Sequence, residues 1–326
     1  MTAENKQYTW PQLGNEIVIK FLESALENKM ISSTYIFSGL KDLGKFQVAK
    51  AFATNLIFSS KEAEEDRDKL AKNSGDLQIL ELQEDKKNIS IKQVRELIKS
   101  LNLSSFLNSY KVAIIKDAHK LSIEAANALL KTLEEPENKV VIILLAEKID
   151  DLPQTIVSRS QILNFQAVKR EFIYDYLLNH HQADREEARK ISSMAMGKPA
   201  LALKYLKDKE YYNQHLEQAR LFVGFVSHDE NYRLKELQSK YSKSLYGASG
   251  RNLAYELLDV WEAVSRDLLL IENEQFNLVS YLDLSDDLAR AKANSLDVIK
   301  AIHKARKYLA SNLNPKAVLE ECVISF

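Results

Sequence analysis

Residues Gly39 to Phe46 read G-L-K-D-L-G-K-F, which fits the phosphate-loop spacing G-x-x-x-x-G-K-[ST] through Lys45 and fails at the last position. In such a loop the glycines let the backbone approach a polyphosphate and the lysine reaches the outer phosphates. The hydroxyl that follows ligands Mg²⁺. Phe46 stands where that hydroxyl belongs. A phenyl ring offers no oxygen to a cation that demands near-octahedral oxygen coordination. A second loss falls on the same metal. P-loop ATPases end a further apolar strand in an Asp that helps hold Mg²⁺, often followed by a Glu that polarises the attacking water. Here Val112-Ala113-Ile114-Ile115 runs into Lys116-Asp117. The ammonium of Lys116 repels the cation that a carboxylate attracts, and Asp117 falls one methylene short where the Glu belongs. Gly39, Gly44 and Lys45 keep an anion-friendly turn at a helix N-terminus, but the Asp42 carboxylate opposes phosphate. These residues predict a vestigial phosphate loop with weak or no nucleotide binding and no Mg-ATP of its own.

Other chemistries find less support. The one cysteine, Cys322, permits no internal disulfide and no cysteine-based zinc site. His119 and the His180-His181 pair lack neighbours of metal-ligand type and read as structural, so no metal is expected. With 45 acidic-balancing Lys and Arg against 46 Asp and Glu, the formal net charge of −1 argues against strong DNA binding by the chain alone. The N-terminal residues carry no apolar signal core, and the longest uninterrupted apolar run, Val140 to Ala146, is too short to span a bilayer. A cytoplasmic chain with no membrane contact is the expectation.

The elements that must position the loop follow an α/β order. Thr34-Tyr35-Ile36-Phe37 is a β-prone run ending at Ser38-Gly39, and a helical stretch follows from about Lys45 to Phe58. Ile79 to Leu82 is a second candidate strand, and Ile91 to Leu103 an amphipathic helix with Val94, Leu97, Ile98 and Leu101 on one face. Val112 to Ile115 and Val140 to Leu145 have the continuous apolar character of strands buried on both faces of a parallel sheet. Between them, residues 123–135 read as a helix stopped by Pro136. The pattern is doubly wound α/β. After about Gln166 the strand signal ends. Arg170 to Ala202 reads as a small helical unit broken at Gly197-Lys198-Pro199, and long helices dominate from Leu203 onward. There Leu253, Leu257, Leu258, Trp261, Val264, Leu268 and Leu269 form a stripe suited to a bundle core. The charged stretch 61–72 reads as an exposed helix or mobile loop.

Several segments resemble one family. Tyr110 to Pro136, Y-K-V-A-I-I-K-D-A-H-K-L-S-I-E-A-A-N-A-L-L-K-T-L-E-E-P, resembles the clamp-loader branch of the AAA+ proteins, most specifically in A-N-A-L-L-K-T-L-E-E-P. Leu152 to Ser160, L-P-Q-T-I-V-S-R-S, is similar to that family's L-P-x-T-I-x-S-R-C segment, with Ser160 in place of Cys. N-L-N-P-K-A-V-L-E-E, Asn312 to Glu321, and L-L-D-V-W-E-A-V-S-R-D-L-L-L around Trp261 resemble helices near the family's C-terminus. The resemblance implies an AAA+ P-loop-type domain with a parallel sheet over residues 1–166, a small helical lid over 167–205 and an all-α collar for oligomerisation over 206–326.

Within that family, the hydrolysing subunits keep an intact phosphate loop, an Asp-Glu pair, a polar sensor residue and a later sensor arginine. Here the sensor positions fall at Ala146-Glu147 and at Ala200, while Ser158-Arg159 is kept. The resemblance therefore implies a subunit without ATPase activity that presents Arg159 in trans to a neighbour's ATP, where a guanidinium stabilises charge on the transferred phosphoryl. It also implies a hetero-oligomer with the ATPase subunits (gamma/tau), the delta subunit and the beta sliding clamp, reaching primer-template DNA through the assembly. Family members that bind zinc carry a cysteine cluster between residues 58 and 76, an interval with neither Cys nor His here. Two alternatives stay open: an active but divergent AAA+ ATPase subunit, and a purely structural scaffold whose arginine does no chemistry.

Overall fold

The computed structural model describes residues 8–58, 75–83, 86–107, 109–135 and 139–326. The charged stretch 61–72 and Pro136 lie outside the described residues. The chain divides into two compact units, residues 1–169 with 198–200, and residues 170–197 with 201–326.

The first unit is built on five parallel strands: β1 (Thr34–Ser38), β2 (Leu77–Leu80), β3 (Lys111–Ile115), β4 (Val140–Ala146) and β5 (Gln161–Asn164), in the order β2-β3-β4-β1-β5. Every residue of β1, β3 and β4 is buried, because alternate side chains feed two different cores. Tyr35, Phe37, Val112, Ile114, Val141, Ile143 and Leu145 join one core with Val18 and Leu22 of α1 (Glu16–Glu27) and Val48 and Phe52 of α2 (Lys45–Ile57). Ile36, Ala113, Ile115, Ile142 and Leu144 join the other. There they meet Val94 and Leu97 of α3 (Ile91–Leu101), Ala125 and Leu129 of α4 (Ile123–Glu134) and Ile156 of α5 (Gln154–Val157). The period-2 alternation of a pleated strand thus sorts a continuous apolar run into two faces, each covered by helices.

The helix starts are set locally. Ser90 and Gln93 form a reciprocal capping box at the start of α3, and Ser122 Oγ accepts the Ala125 N–H at the start of α4. Two details differ from the sequence expectation. Strand β2 begins at Leu77 and stops at Leu80, paired with Ile115, so Glu81 falls past the sheet edge. Strand β5, an edge strand in which only Leu163 is buried, has too little apolar alternation to be read in advance.

The second unit contains no strand. From residue 170 onward the chain forms α6 (Arg170–His181), α7 (Arg185–Met194), α8 (Pro199–Lys207), α9 (Lys209–Ser227), α10 (Glu230–Tyr241), α11 (Gly247–Glu272), α12 (Ser285–Leu288), α13 (Ser295–Ala310) and α14 (Pro315–Ile324). Gly197, at φ 76°, interrupts the helices where the sequence predicts a break, and Pro199 opens the next one. The stripe on α11 is core: Leu257, Leu258, Trp261, Val264 and Leu268 are buried, and the Trp261 indole stacks on Phe222 of α9 at 5.2 Å.

Candidate functional site: a phosphate-loop cleft and a tethered arginine

Strand β1 delivers the loop at the carboxyl edge of the sheet, beside the ends of β3 and β4. Doubly wound proteins build their sites at this edge. Gly39 leaves the strand at φ 143° with its N–H donated to the Ala146 carbonyl, 3.2 Å away, and a Cβ at this position would lie 2.5 Å from the Phe165 carbonyl oxygen. Only glycine fits such an approach. Gly44, at φ 89°, is the N-terminal cap residue of α2. Asp42 holds the loop in the left-handed region at φ 65°, and its carbonyl accepts the Ala200 N–H at 3.1 Å.

The Lys45 ammonium is turned into this loop. It donates to the carbonyls of Gly39 and Leu40, the latter at 2.6 Å. Burial pushes its pKa down, against the pull of Glu147, Asp117 and Asp42, which raise it. The next side chain, the Phe46 ring, lies 4.4 Å beneath the Lys116 ammonium at the end of β3. Lys116 is also paired with Glu81, Nζ to Oε2 at 2.9 Å. Asp117 follows in the left-handed region at φ 49° and starts the single turn of 3₁₀ helix over Ala118–Lys120.

Asp42, Gly44, Lys45, Phe46, Lys116 and Asp117 meet in one cleft of about 330 Å³, lined also by Ala146, Glu147 and Ala200. The residues singled out in the sequence as departures from the nucleotide-site pattern are therefore neighbours in space. The volume is at the lower end for a small-molecule site. Its lining includes the cations Lys41, Lys45 and Lys116, of which the last two are engaged by oxygens of the same chain. Glu81 was missed by sequence reasoning. Its signal is its place one residue past β2, the neighbour strand of β3.

Arg159 does not line this cleft. It follows the short helix α5, which Pro153 opens, and its side chain is 37% exposed. Nη1 donates to the Thr155 carbonyl at 3.0 Å and to Ser158 Oγ at 3.3 Å, while Nη2 lies 2.8 Å from Glu134 Oε1 at the end of α4. Glu134, inside the quoted A-N-A-L-L-K-T-L-E-E-P stretch, was not recognised as a site residue from sequence.

The remaining candidates have structural surroundings. Cys322 is buried, which pushes its thiol pKa up to about 12. His180 and His181 both pack on the Tyr176 ring. Among the described residues no group of three or more His, Cys, Asp or Glu is placed to hold a metal ion, and no helix is long and apolar enough to cross a membrane.

A parallel sheet in this order, with a glycine loop leaving its β1 strand into a helix and helices on both faces, defines a AAA+ nucleotide-binding fold. Residues 14–169 match the family model described as "DNA polymerase III, delta subunit". The delta' subunit of DNA polymerase III from Bacillus subtilis is 26% identical over 97% of this chain and 98% of its own length. The tau subunit from the same organism is 27% identical over 96% of this chain, which spans 60% of that longer protein. A solved gamma-subunit-related protein of DNA polymerase III from Thermotoga maritima is 19% identical over 93% of this chain and 97% of its own, with a TM-score of 0.47. The family match over residues 14–169 and the likeness to delta' along nearly the whole chain support a clamp-loader subunit of DNA polymerase III, of the delta-prime type.

Proposed function

We propose that this chain is the non-hydrolysing subunit of a clamp loader in DNA replication, and that it completes the ring-loading assembly while lending Arg159 to the ATP of a neighbouring subunit. The observation that carries the reading is the state of the phosphate-loop cleft. A phenyl ring and an ammonium, in contact with each other, occupy the two positions from which Mg²⁺ would be held, and Lys45 is spent on its own loop. Without metal ligands a site cannot bridge and neutralise the transferring phosphates. Arg159, by contrast, lies outside the cleft with its guanidinium at the surface, which suits a group acting on another subunit's nucleotide. On this reading residues 167–205 serve as the lid and 206–326 as the collar. The partners are the gamma/tau ATPase subunits, the delta subunit and the beta clamp, with primer-template DNA reached through the assembly.

The test is DNA- and clamp-stimulated ATP hydrolysis by the reconstituted loader, wild-type chain against Arg159→Ala. A fall of tenfold or more with the assembly intact, about 1.4 kcal/mol of transition-state stabilisation, is expected. Unchanged turnover would leave a scaffold, and hydrolysis by the isolated chain would mean a divergent ATPase.

A further inference from the structure

Glu134 is the last residue of α4, and its carboxylate meets Arg159 across a loop. An acid at this end of a helix faces the negative pole of the macrodipole, so helix energetics disfavour it there. The ion pair is too exposed for stability to explain it, with side chains 37% and 49% accessible. Pairs in that setting contribute little. What the carboxylate does is fix a geometry. An arginine on a flexible stem samples many rotamers, and a group that must meet a developing charge works best when held in place beforehand. Here Glu134 takes Nη2 while Thr155 O and Ser158 Oγ take Nη1, so both ends of the guanidinium are tied. Among the described residues Nε has no acceptor, which leaves that N–H for an oxygen from outside the chain.

We propose that Glu134 is a positioning residue for Arg159: it locks the guanidinium in the orientation from which its unused N–H groups meet the terminal phosphate of a nucleoside triphosphate on an adjoining subunit. The inference rests on the trans role of Arg159 given above. The carboxylate touches no phosphate itself and acts only through the arginine.

The assembled loader tests this with four forms of the chain: wild type, Arg159→Ala, Glu134→Ala and Glu134→Gln. ATP concentration is varied so that kcat and KM separate. Glu134→Ala lowers kcat about threefold to tenfold, with KM for ATP, assembly and thermal midpoint unchanged, because an unheld arginine is misplaced for part of the time. Glu134→Gln recovers most of the loss, since its amide oxygen still accepts from Nη2. Glu134→Ala turnover at or above the wild-type level, beside a damaged Arg159→Ala, overturns the positioning role. A loss confined to KM, or one that Gln fails to recover, overturns it as well. Unchanged turnover in Arg159→Ala would instead remove the trans reading, and this inference with it.

Discussion

The Lys116 ammonium lies 4.4 Å from the centroid of the Phe46 ring, so the two residues that depart from the metal-binding pattern are in contact. A cation over an aromatic face is worth about 0.5–2 kcal/mol depending on desolvation, and Glu81 also holds this ammonium at 2.9 Å. The two substitutions therefore support each other. Reversing one leaves the other in force. Phe46→Thr restores a hydroxyl yet keeps a positive charge beside it, and that charge repels Mg²⁺. Fluorescent-ATP titrations of the Phe46→Thr chain are expected to show no gain in affinity from added Mg²⁺. A gain of about tenfold, or 1.4 kcal/mol, would contradict the repulsion argument.

Lys45 acts as a strut of its own loop. Its ammonium satisfies the carbonyls of Gly39 and Leu40, and Lys45→Met leaves both without that donor. The expected cost is about 1–2 kcal/mol. Urea unfolding measures it, and the difference between wild type and variant should be the same with and without ATP. A difference that grows when ATP is added would show the lysine bound to phosphate instead.

Gly39 is the tightest point of the loop. Its φ of 143° and the 2.5 Å approach of a notional Cβ to the Phe165 carbonyl leave no room for a side chain. Gly39→Ala is expected to cost about 2–4 kcal/mol through strain and displacement of the chain after β5. Thermal unfolding reads the loss. A midpoint within error of wild type would mean that the loop relaxes at no cost.

In the helical unit Asp267 supplies a pH-dependent term. Its carboxylate is fully buried and accepts the N–H groups of Ser280 at 2.8 Å and Tyr281 at 2.7 Å. Burial raises its pKa above the ordinary 3.8, and the hydrogen bonds and Arg266 only partly oppose the rise. The folded chain thus holds this proton more tightly than the unfolded chain. The resulting stabilisation is complete below the unfolded pKa and is lost as pH rises through the folded value. Asp267→Asn has no such proton. Denaturant midpoints from about pH 3 to about pH 7 should therefore show the wild type losing ground relative to Asp267→Asn as pH increases. The opposite trend would mean that the backbone donors outweigh desolvation.

The loop spacing, the apolar runs of β1, β3 and β4 and the break at Gly197 were all legible in the sequence. Each is a property of a few consecutive residues: a turn that needs glycine, or an unbroken apolar run. The type of the chain was legible too, through motifs that sit whole within single loops and helices. Tertiary structure alone decided which groups share a site. It set Phe46 under Lys116, brought Glu81 to that ammonium, turned Lys45 onto its own loop and tied Arg159 to Glu134. It also made an edge strand of Gln161–Asn164, which has little pattern of its own and is held by the backbone of β1. The reason is the same throughout. Spacing determines which way a side chain leaves its own helix or strand, whereas its rotamer and partner depend on what adjacent strands and loops place beside it once the sheet has formed.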